Sequence, residues 1–132
     1  MIFDPIADMI SAVKNGYMSN KNIIKVSFSS YKEQIARVLL EENYLMGVDV
    51  IEAKGKEKKT LALKLKYENK KPAITDIKQV SKTSLRVYLP YRHLPKVLGG
   101  LGTSVISTPK GVVSTRQAKK LHMGGEIICN VW

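Results

Sequence analysis

The chain of 132 residues is long enough for one compact domain or two small lobes sharing an interface, and it needs no disulfide to bury a core. Its 44% hydrophobic and 25% charged residues match an ordinary globular protein, and 22 Lys and Arg against 11 Asp and Glu leave a formal charge of +11 that favours a polyanionic partner. No apolar stretch is long enough to cross a bilayer, and Asp4 and Asp8 stand where a secretory signal carries positive charge, so a cytoplasmic protein with no membrane partner is expected.

The charge is uneven. Residues 1–70 hold 12 bases and 9 acids, whereas residues 71–132 hold 10 bases and 2 acids, so the carboxy-terminal half is the expected docking surface. Lysines also serve simply for solubility, and charge alone does not choose among RNA, DNA and anionic lipid.

In chain order, Asp4 as N-cap and Pro5 at the first helical position open a helix whose Ile6, Met9, Ile10 and Val13 form one apolar stripe, with Gly16 as its expected end. Lys14, Asn15 and Lys21 lie on its polar edge, solvent-facing or in reach of phosphate. Ser30-Tyr31-Lys32-Glu33 reads as a capping box for a second helix carrying Ile35, Val38 and Leu39, ending at Asn43. Gly47 to Ala53 turns β-like. Lys54-Gly55-Lys56 then leads into Leu61, Leu63, Leu65 and Tyr67, a hairpin with one buried face and a lysine-rich turn. Glu68 to Pro72 marks a boundary between an amino-terminal lobe, 1–72, and a carboxy-terminal lobe, 73–132.

Beyond it, Leu85, Val87 and Leu89 alternate with Arg86 and Tyr88, which predicts a strand burying the former and presenting the latter together. A short helical turn from His93 to Leu98 precedes Gly99-Gly100-Leu101-Gly102. A strand at Val105-Ile106 then runs into Ser107-Thr108-Pro109-Lys110-Gly111. Ser114-Thr115-Arg116-Gln117 is a further capping box, opening a brief helix that bears Lys119 and Lys120. After Gly124-Gly125, Glu126 to Trp132 reads as a last strand holding Cys129, a single cysteine expected to be a buried structural thiol. The class is α+β, helices early and strands late.

Catalysis is argued against by absence. His93 and His122 are far apart in sequence, no metal, nucleophile or P-loop spacing occurs, and Asp76 and Glu126 are the only carboxylates of the basic half, so no catalytic residue, metal or cofactor is assigned. The segment Ser107 to Gly111 offers hydroxyls, a lysine and a glycine-loosened backbone suited to phosphates and ribose oxygens, or equally forms an ordinary turn. Tyr88 beside Arg86 sets an aromatic plane next to a cation where a base can stack; its alternative is packing on lysine stems. Glu126 suits an exocyclic amine or a 2′-hydroxyl, or is an exposed edge-strand glutamate. Lys119 and Lys120 supply salt-sensitive attraction, and Asp4, Lys14, Asn15 and Ser30 complete the candidate RNA-contacting set.

These residues also carry a resemblance. Asp4-Pro5-Ile6-Ala7-Asp8-Met9, Ser29-Ser30, Val80-Ser81-Lys82, Leu94-Pro95-Lys96-Val97-Leu98, Gly100-Leu101-Gly102, Ser107 to Val112 and Gly124 to Cys129 fall in the order and spacing of one family. From the first helix to the final tryptophan, the chain resembles the eighth protein family of the bacterial small ribosomal subunit. The resemblance implies a two-lobed α+β protein that binds the central domain of small-subunit ribosomal RNA, adjoins other ribosomal proteins and represses its own operon messenger. It implies RNA contacts at Ser107, Thr108, Lys110, Gly111, Tyr88, Gly124, Gly125 and Glu126. Pro109 departs from the family's usual serine, removing a hydroxyl and a backbone donor. The rival readings are a structured-RNA-binding protein outside the ribosome, a nucleic-acid-processing enzyme and a peripheral membrane protein.

Overall fold

The computed structural model describes residues 4–55 and 58–132, so Lys56 of the lysine-rich turn lies outside the described residues. The first helix, α1 (Pro5–Met18), is capped as expected: the Asp4 carboxylate accepts from the Ile6 and Ala7 amides, each at 3.1 Å. Its stripe of Met9, Ile10 and Val13 is buried. Gly16 does not end it. The helix runs on to Met18 because Gly16 faces inward, where a Cβ would stand 2.6 Å from Ile24 Cγ2 and 2.9 Å from Leu65 Cδ1. The glycine allows close approach of the sheet rather than stopping the helix.

A strand that the pattern does not announce follows, β1 (Ile23–Ser27), with Ile24 buried. The next helix, α2 (Ser30–Glu41), is capped one residue earlier than the sequence suggests. Ser29 Oγ accepts from the Lys32 amide at 3.1 Å, leaving Ser30 exposed as the first helical residue, while Glu33 pairs with Arg37 at 3.0 Å. Lys32 folds back, and its buried ammonium donates to Ser27 at 3.2 Å (backbone oxygen) and 2.9 Å (Oγ). Asn43, at φ 66°, reverses the chain past the helix end as expected.

The hairpin β2 (Leu45–Ile51) and β3 (Thr60–Leu65) pairs antiparallel and β1 joins the far side of β3, giving the order β1-β3-β2. A two-residue-strand hairpin, β4 (Tyr67–Glu68) and β5 (Lys71–Pro72), turns through Asn69 and Lys70, both at positive φ. The larger sheet then assembles from β6 (Ile77–Gln79), β7 (Tyr88–Leu89), β8 (Thr103–Thr108), β9 (Gly111–Ser114) and β10 (Gly125–Val131). β10 is interior: β6 and β7 share one of its edges and β8 takes the other, with β9 beyond. The helix α3 (Thr115–Leu121) is capped by Ser114, whose Oγ accepts from the Gln117 amide at 3.3 Å. The reciprocal half of that box is absent, since Gln117 Nε2 reaches Glu41 at 3.0 Å instead.

Two sequence expectations in this half are corrected. Leu85 is 67% exposed, because the chain from Ser81 to Arg86 makes a bridge between Lys82 and Leu85 rather than extending the strand; only Val87 and Leu89 pack inward. Between His93 and Leu98 there is no helical turn. Two 3-10 turns, Tyr91–His93 and Val97–Gly100, flank Pro95, with Leu98 held at φ 46°.

The class is α+β: among the described residues, two of the three α-helices come early and the larger sheet late. One buried cluster runs through the molecule, from Met9, Leu39 and Leu63 to Ile77, Val105 and Val131. A smaller one, Ile106, Ala118 and Ile127, fills the other face of the larger sheet under Val87 and Leu89. Cys129 belongs to the main cluster, and burial pushes its thiol up to about 12.

That shift carries a sign. The unfolded thiol ionises near 9.0 and the folded one near 12, so the folded chain binds more protons between those values and loses stability there as pH rises. The stability difference between the wild type and Cys129→Ala, followed by urea unfolding, is expected to be flat below pH 9.0 and to move against the wild type above it. A thiol reagent should label Cys129 only after unfolding.

Candidate nucleic-acid interface

The register of β10 makes the site. Glu126 lies opposite Ser107 of β8 on one side and opposite Tyr88 of β7 on the other. Residues directly opposite in an antiparallel ladder share a face, so Tyr88, Glu126 and Ser107 form one row across three strands, about 10 Å wide at the usual strand spacing. Tyr88 is 68% exposed, its ring open to solvent. Arg86, two residues earlier on the same face, places Nη1 3.3 Å from Glu126 Oε2; the arginine side chain is 53% exposed and the glutamate 13%. The arginine end of the pair is open to solvent, where an approaching phosphate can compete for the guanidinium. Glu126 is thus an interior-strand residue, which corrects the edge-strand alternative.

Gly124 and Gly125 are what let the row close. A Cβ on Gly125 would strike the Ser107 carbonyl oxygen, and one on Gly124 would strike the carbonyl oxygen of Leu89 and the backbone of Pro90. The two glycines therefore bring β7 and β8 into register on β10.

The tip of the β8–β9 hairpin builds its own turn. Thr108, buried, donates its hydroxyl to the Gly111 carbonyl at 2.7 Å and accepts from the Lys110 amide at 3.2 Å. Gly111 takes φ 114°, a conformation side chains disfavour. Pro109 and Lys110 project from the turn, both exposed. Proline is accommodated at the corner, where its missing N–H closes no turn bond.

Residues not singled out by sequence support this face from α2. Gln34 Oε1 accepts from the Val112 amide at 3.3 Å, and Ser107 hydrogen-bonds the phenol of Tyr31. Burial pushes the Tyr31 phenol above its ordinary value; Glu126 adds to this, while the Ser107 bond and the charge of Arg86 oppose it. Tyr31, Arg86 and Glu126 line one cleft with Asp4 and Gln79. Burial would raise the Asp4 carboxyl, but hydrogen bonds from Gln79 (Nε2 at 2.9 Å), Ala7, Ile6 and Thr83 hold it below its usual value. Asp4 is thereby brought to the row from the start of the chain. No local signal marks Tyr31, Gln34 or Gln79, whose partners lie about as far away in sequence as the chain's halves.

Other predicted residues stand apart. Lys14, on α1, is paired with Asp76 at 3.2 Å, and that hydrogen bond, with the Ile77 amide, holds the Asp76 carboxyl below its ordinary value. Asn15 and Ser30 are exposed on their helices without a bond into the row. Lys119 and Lys120, in the last turn of α3, line a groove with Gly100 to Thr103 rather than the row. α3 docks beside the start of β8, where the Ser104 amide donates to Thr115 Oγ1 at 2.9 Å, whereas the loop is at the end of β8. α2 measures the same separation: Tyr31 and Gln34 meet Ser107 and Val112, while Glu41 and Glu42 at its far end meet Gln117 and Arg116.

Among the described residues, no helix is long and apolar enough to cross a membrane. The sequence profile of the family described as "Ribosomal protein S8" matches residues 4–132. Curated proteins named "Small ribosomal subunit protein uS8" from Alkaliphilus oremlandii and Clostridioides difficile are each 45% identical over 130 residues, covering 98% of this chain and 97% of theirs. A protein named "Small ribosomal subunit protein uS8c" from Gracilaria tenuistipitata var. liui is 41% identical over 132 residues, the full length of both. With the profile covering nearly the whole chain and relatives aligning end to end, the chain belongs to the ribosomal protein S8 family.

Proposed function

We propose that this protein binds the central domain of small-subunit ribosomal RNA through the row Tyr88–Glu126–Ser107 and the adjoining hairpin tip, supporting subunit assembly beside neighbouring ribosomal proteins. Its family membership makes it a structural, non-enzymatic protein of the small ribosomal subunit and ribosome-associated. The observation that carries the reading is the row itself: an exposed aromatic ring, a carboxylate and a hydroxyl, set side by side by strand register and flanked by Arg86 and Lys110.

The chemistry follows from those groups. A regular RNA duplex hides its base edges in a deep, narrow groove, so a protein reads distorted segments by stacking and by hydrogen bonds to exposed edges and 2′-hydroxyls. Tyr88 supplies the stacking plane. Glu126 accepts from an exocyclic amine or 2′-hydroxyl, and Ser107 both donates and accepts. Lys110 and, once released from Glu126, Arg86 hold phosphates. Affinity and selectivity then reside in different side chains, with Lys119 and Lys120 contributing attraction without discrimination. Repression of the protein's own operon messenger is part of the same proposal, since an RNA presenting the same distorted shape would meet the same row.

Filter-binding titrations with a central-domain RNA fragment and a scrambled competitor, at several salt concentrations, test this reading. Ser107→Ala is expected to reduce the preference for the cognate fragment, while Lys119→Ala weakens binding to every RNA and lowers the salt slope by about 0.9. Equal losses on both RNAs for both variants would count against the division. Gly125→Ala, which drives a methyl into the Ser107 carbonyl, is expected to cost both folding stability and cognate binding, measured by urea unfolding and the same titration.

A further inference from the structure

A cavity of about 440 Å³ opens between the amino-terminal turns of α1 and α2, next to the cleft behind the row. Ile6, Phe28 and Tyr31 give it apolar and aromatic walls, and Ser27 and Ser29 give it hydroxyls. Lys32 also lines it and is only 6% exposed, yet among the described residues no carboxylate pairs with its ammonium. Of the three protons an ammonium carries, the Ser27 carbonyl oxygen takes one at 3.2 Å and Ser27 Oγ another at 2.9 Å, which leaves the third unspent. Withdrawing such a cation from water without a counter-charge is costly, and an anion in the cavity offsets that cost. The backbone adds to the attraction: the Ser29 side chain caps the Lys32 amide alone, so the first two amides of α2, those of Ser30 and Tyr31, carry no capping bond. Arg86 closes the side toward the row, its side chain 53% exposed. Among the described residues Asp4 is the one carboxylate of the lining, and its oxygens are already held by Gln79, Thr83 and the Ile6 and Ala7 amides.

We propose that this cavity is a single-nucleotide pocket, which takes one nucleoside phosphate with its base among Ile6, Phe28 and Tyr31 and its phosphate against Lys32, Arg86 and the free amides of α2. The two halves of the lining call for the two halves of that ligand. A bare anion satisfies Lys32 and leaves the aromatic walls uncovered, whereas an apolar molecule covers the walls and leaves the ammonium without a counter-charge. The size agrees, since cavities that hold small ligands run from about 300 to 1,000 Å³ and a phosphate alone needs far less. A flat heteroaromatic base stacks on or edges against a phenyl or phenol ring regardless of its identity, so the pocket selects a nucleotide more strongly than it selects which one. A free nucleotide and an unstacked residue of a single strand present this same chemistry. The pocket stands apart from the proposed function, because nothing in it requires the row to bind RNA. It shares Tyr31, Arg86 and Asp4 with the cleft behind the row, so an occupant of one is felt in the other.

Equilibrium dialysis of the full chain against ribonucleoside 5′-monophosphates, the matching nucleosides and inorganic phosphate tests the pocket. A nucleotide is expected to bind at least about tenfold more tightly than either its nucleoside or phosphate, because only the nucleotide engages both the walls and the charged hydrogen-bond donors. Lys32→Met, which keeps the buried stem, should bring the nucleotide down to the affinity of its nucleoside. Phe28→Ala should bring it down to that of phosphate while phosphate binding itself persists, a division that misfolding does not produce. As a measurement that needs no variant, base protons of the nucleotide should show nuclear Overhauser contacts to the Phe28 and Tyr31 rings of the wild type. A single-stranded trinucleotide separates the two sources: affinity equal to the mononucleotide's supports the pocket with a free nucleotide as its ligand, and tighter binding supports it with a residue of a strand. Phosphate bound as tightly as the nucleotide, loss of both together in Phe28→Ala, an undiminished nucleotide affinity in Lys32→Met, or missing base-to-ring contacts would each overturn the pocket. The Ser107→Ala titration reports on the row alone, so the failure of either reading is told apart from the failure of the other.

Discussion

The pairing of β10 with β8 on one side and β7 on the other is the constraint on which the rest of this structure depends. Backbone hydrogen bonds fix which residues stand opposite, and in an antiparallel ladder that choice also fixes which side chains share a face. A slip of one residue would turn Glu126 toward the Ile106, Ala118 and Ile127 cluster, and would bring Ile127 out in its place. The apolar residues that alternate with the row thus enforce it: burying Ile106, Ile127, Val87 and Leu89 below requires Ser107, Glu126, Arg86 and Tyr88 above. Gly124 and Gly125 permit the register sterically, and the buried cluster makes it the low-energy choice.

The site is open and weakly self-satisfied, which suits a surface that must exchange partners. Arg86 and Glu126 hold each other loosely, and the Ser107 hydroxyl engages Tyr31, so each polar group has an internal partner while the surface is bare. The Arg86 end of that pair is half in solvent, which is where an incoming anion reaches it. By contrast, the groups that shape the site are tightly held. Thr108 closes the hairpin turn, Gln34 pins Val112, and Asp4 joins the first helix to Gln79. Rigid support beneath exchangeable contacts lets a protein read shape without first ordering itself, sparing the conformational entropy that ordering would cost on binding.

α2 links the two ends of the larger sheet. Its amino-terminal turn supports the row through Tyr31 and Gln34, and its carboxy-terminal acids hold α3 through Gln117 and Arg116. A twelve-residue helix spans about 18 Å, so it acts as a spacer between the β8–β9 hairpin and the first turn of α3. The helix belongs to the amino-terminal part of the chain, yet what it positions lies in the carboxy-terminal part. Residues from both parts join one buried cluster, and that shared packing holds the spacer in place.

Much was legible in the sequence because it rested on local rules: Asp4-Pro5 as a helix start, Ser114 as a cap, the β2–β3 hairpin with its buried leucines, and the excess of cations after residue 71. Each is decided by neighbours within a few residues, where capping bonds and alternation act. What failed locally also had a physical cause. Gly16 stays helical because β1 and β3 press against it, Ser29 rather than Ser30 caps α2, and Leu85 is outside because the strand starts later than its alternation implies. The rest was decided only by tertiary structure. Strand register, not sequence proximity, set Tyr88, Glu126 and Ser107 in one row, and packing recruited Tyr31 and Asp4 to it while leaving Lys119 and Lys120 on a separate groove. Composition dictates that such a chain is basic and folds into helices and sheets; only long-range pairing determines which of its charges meet.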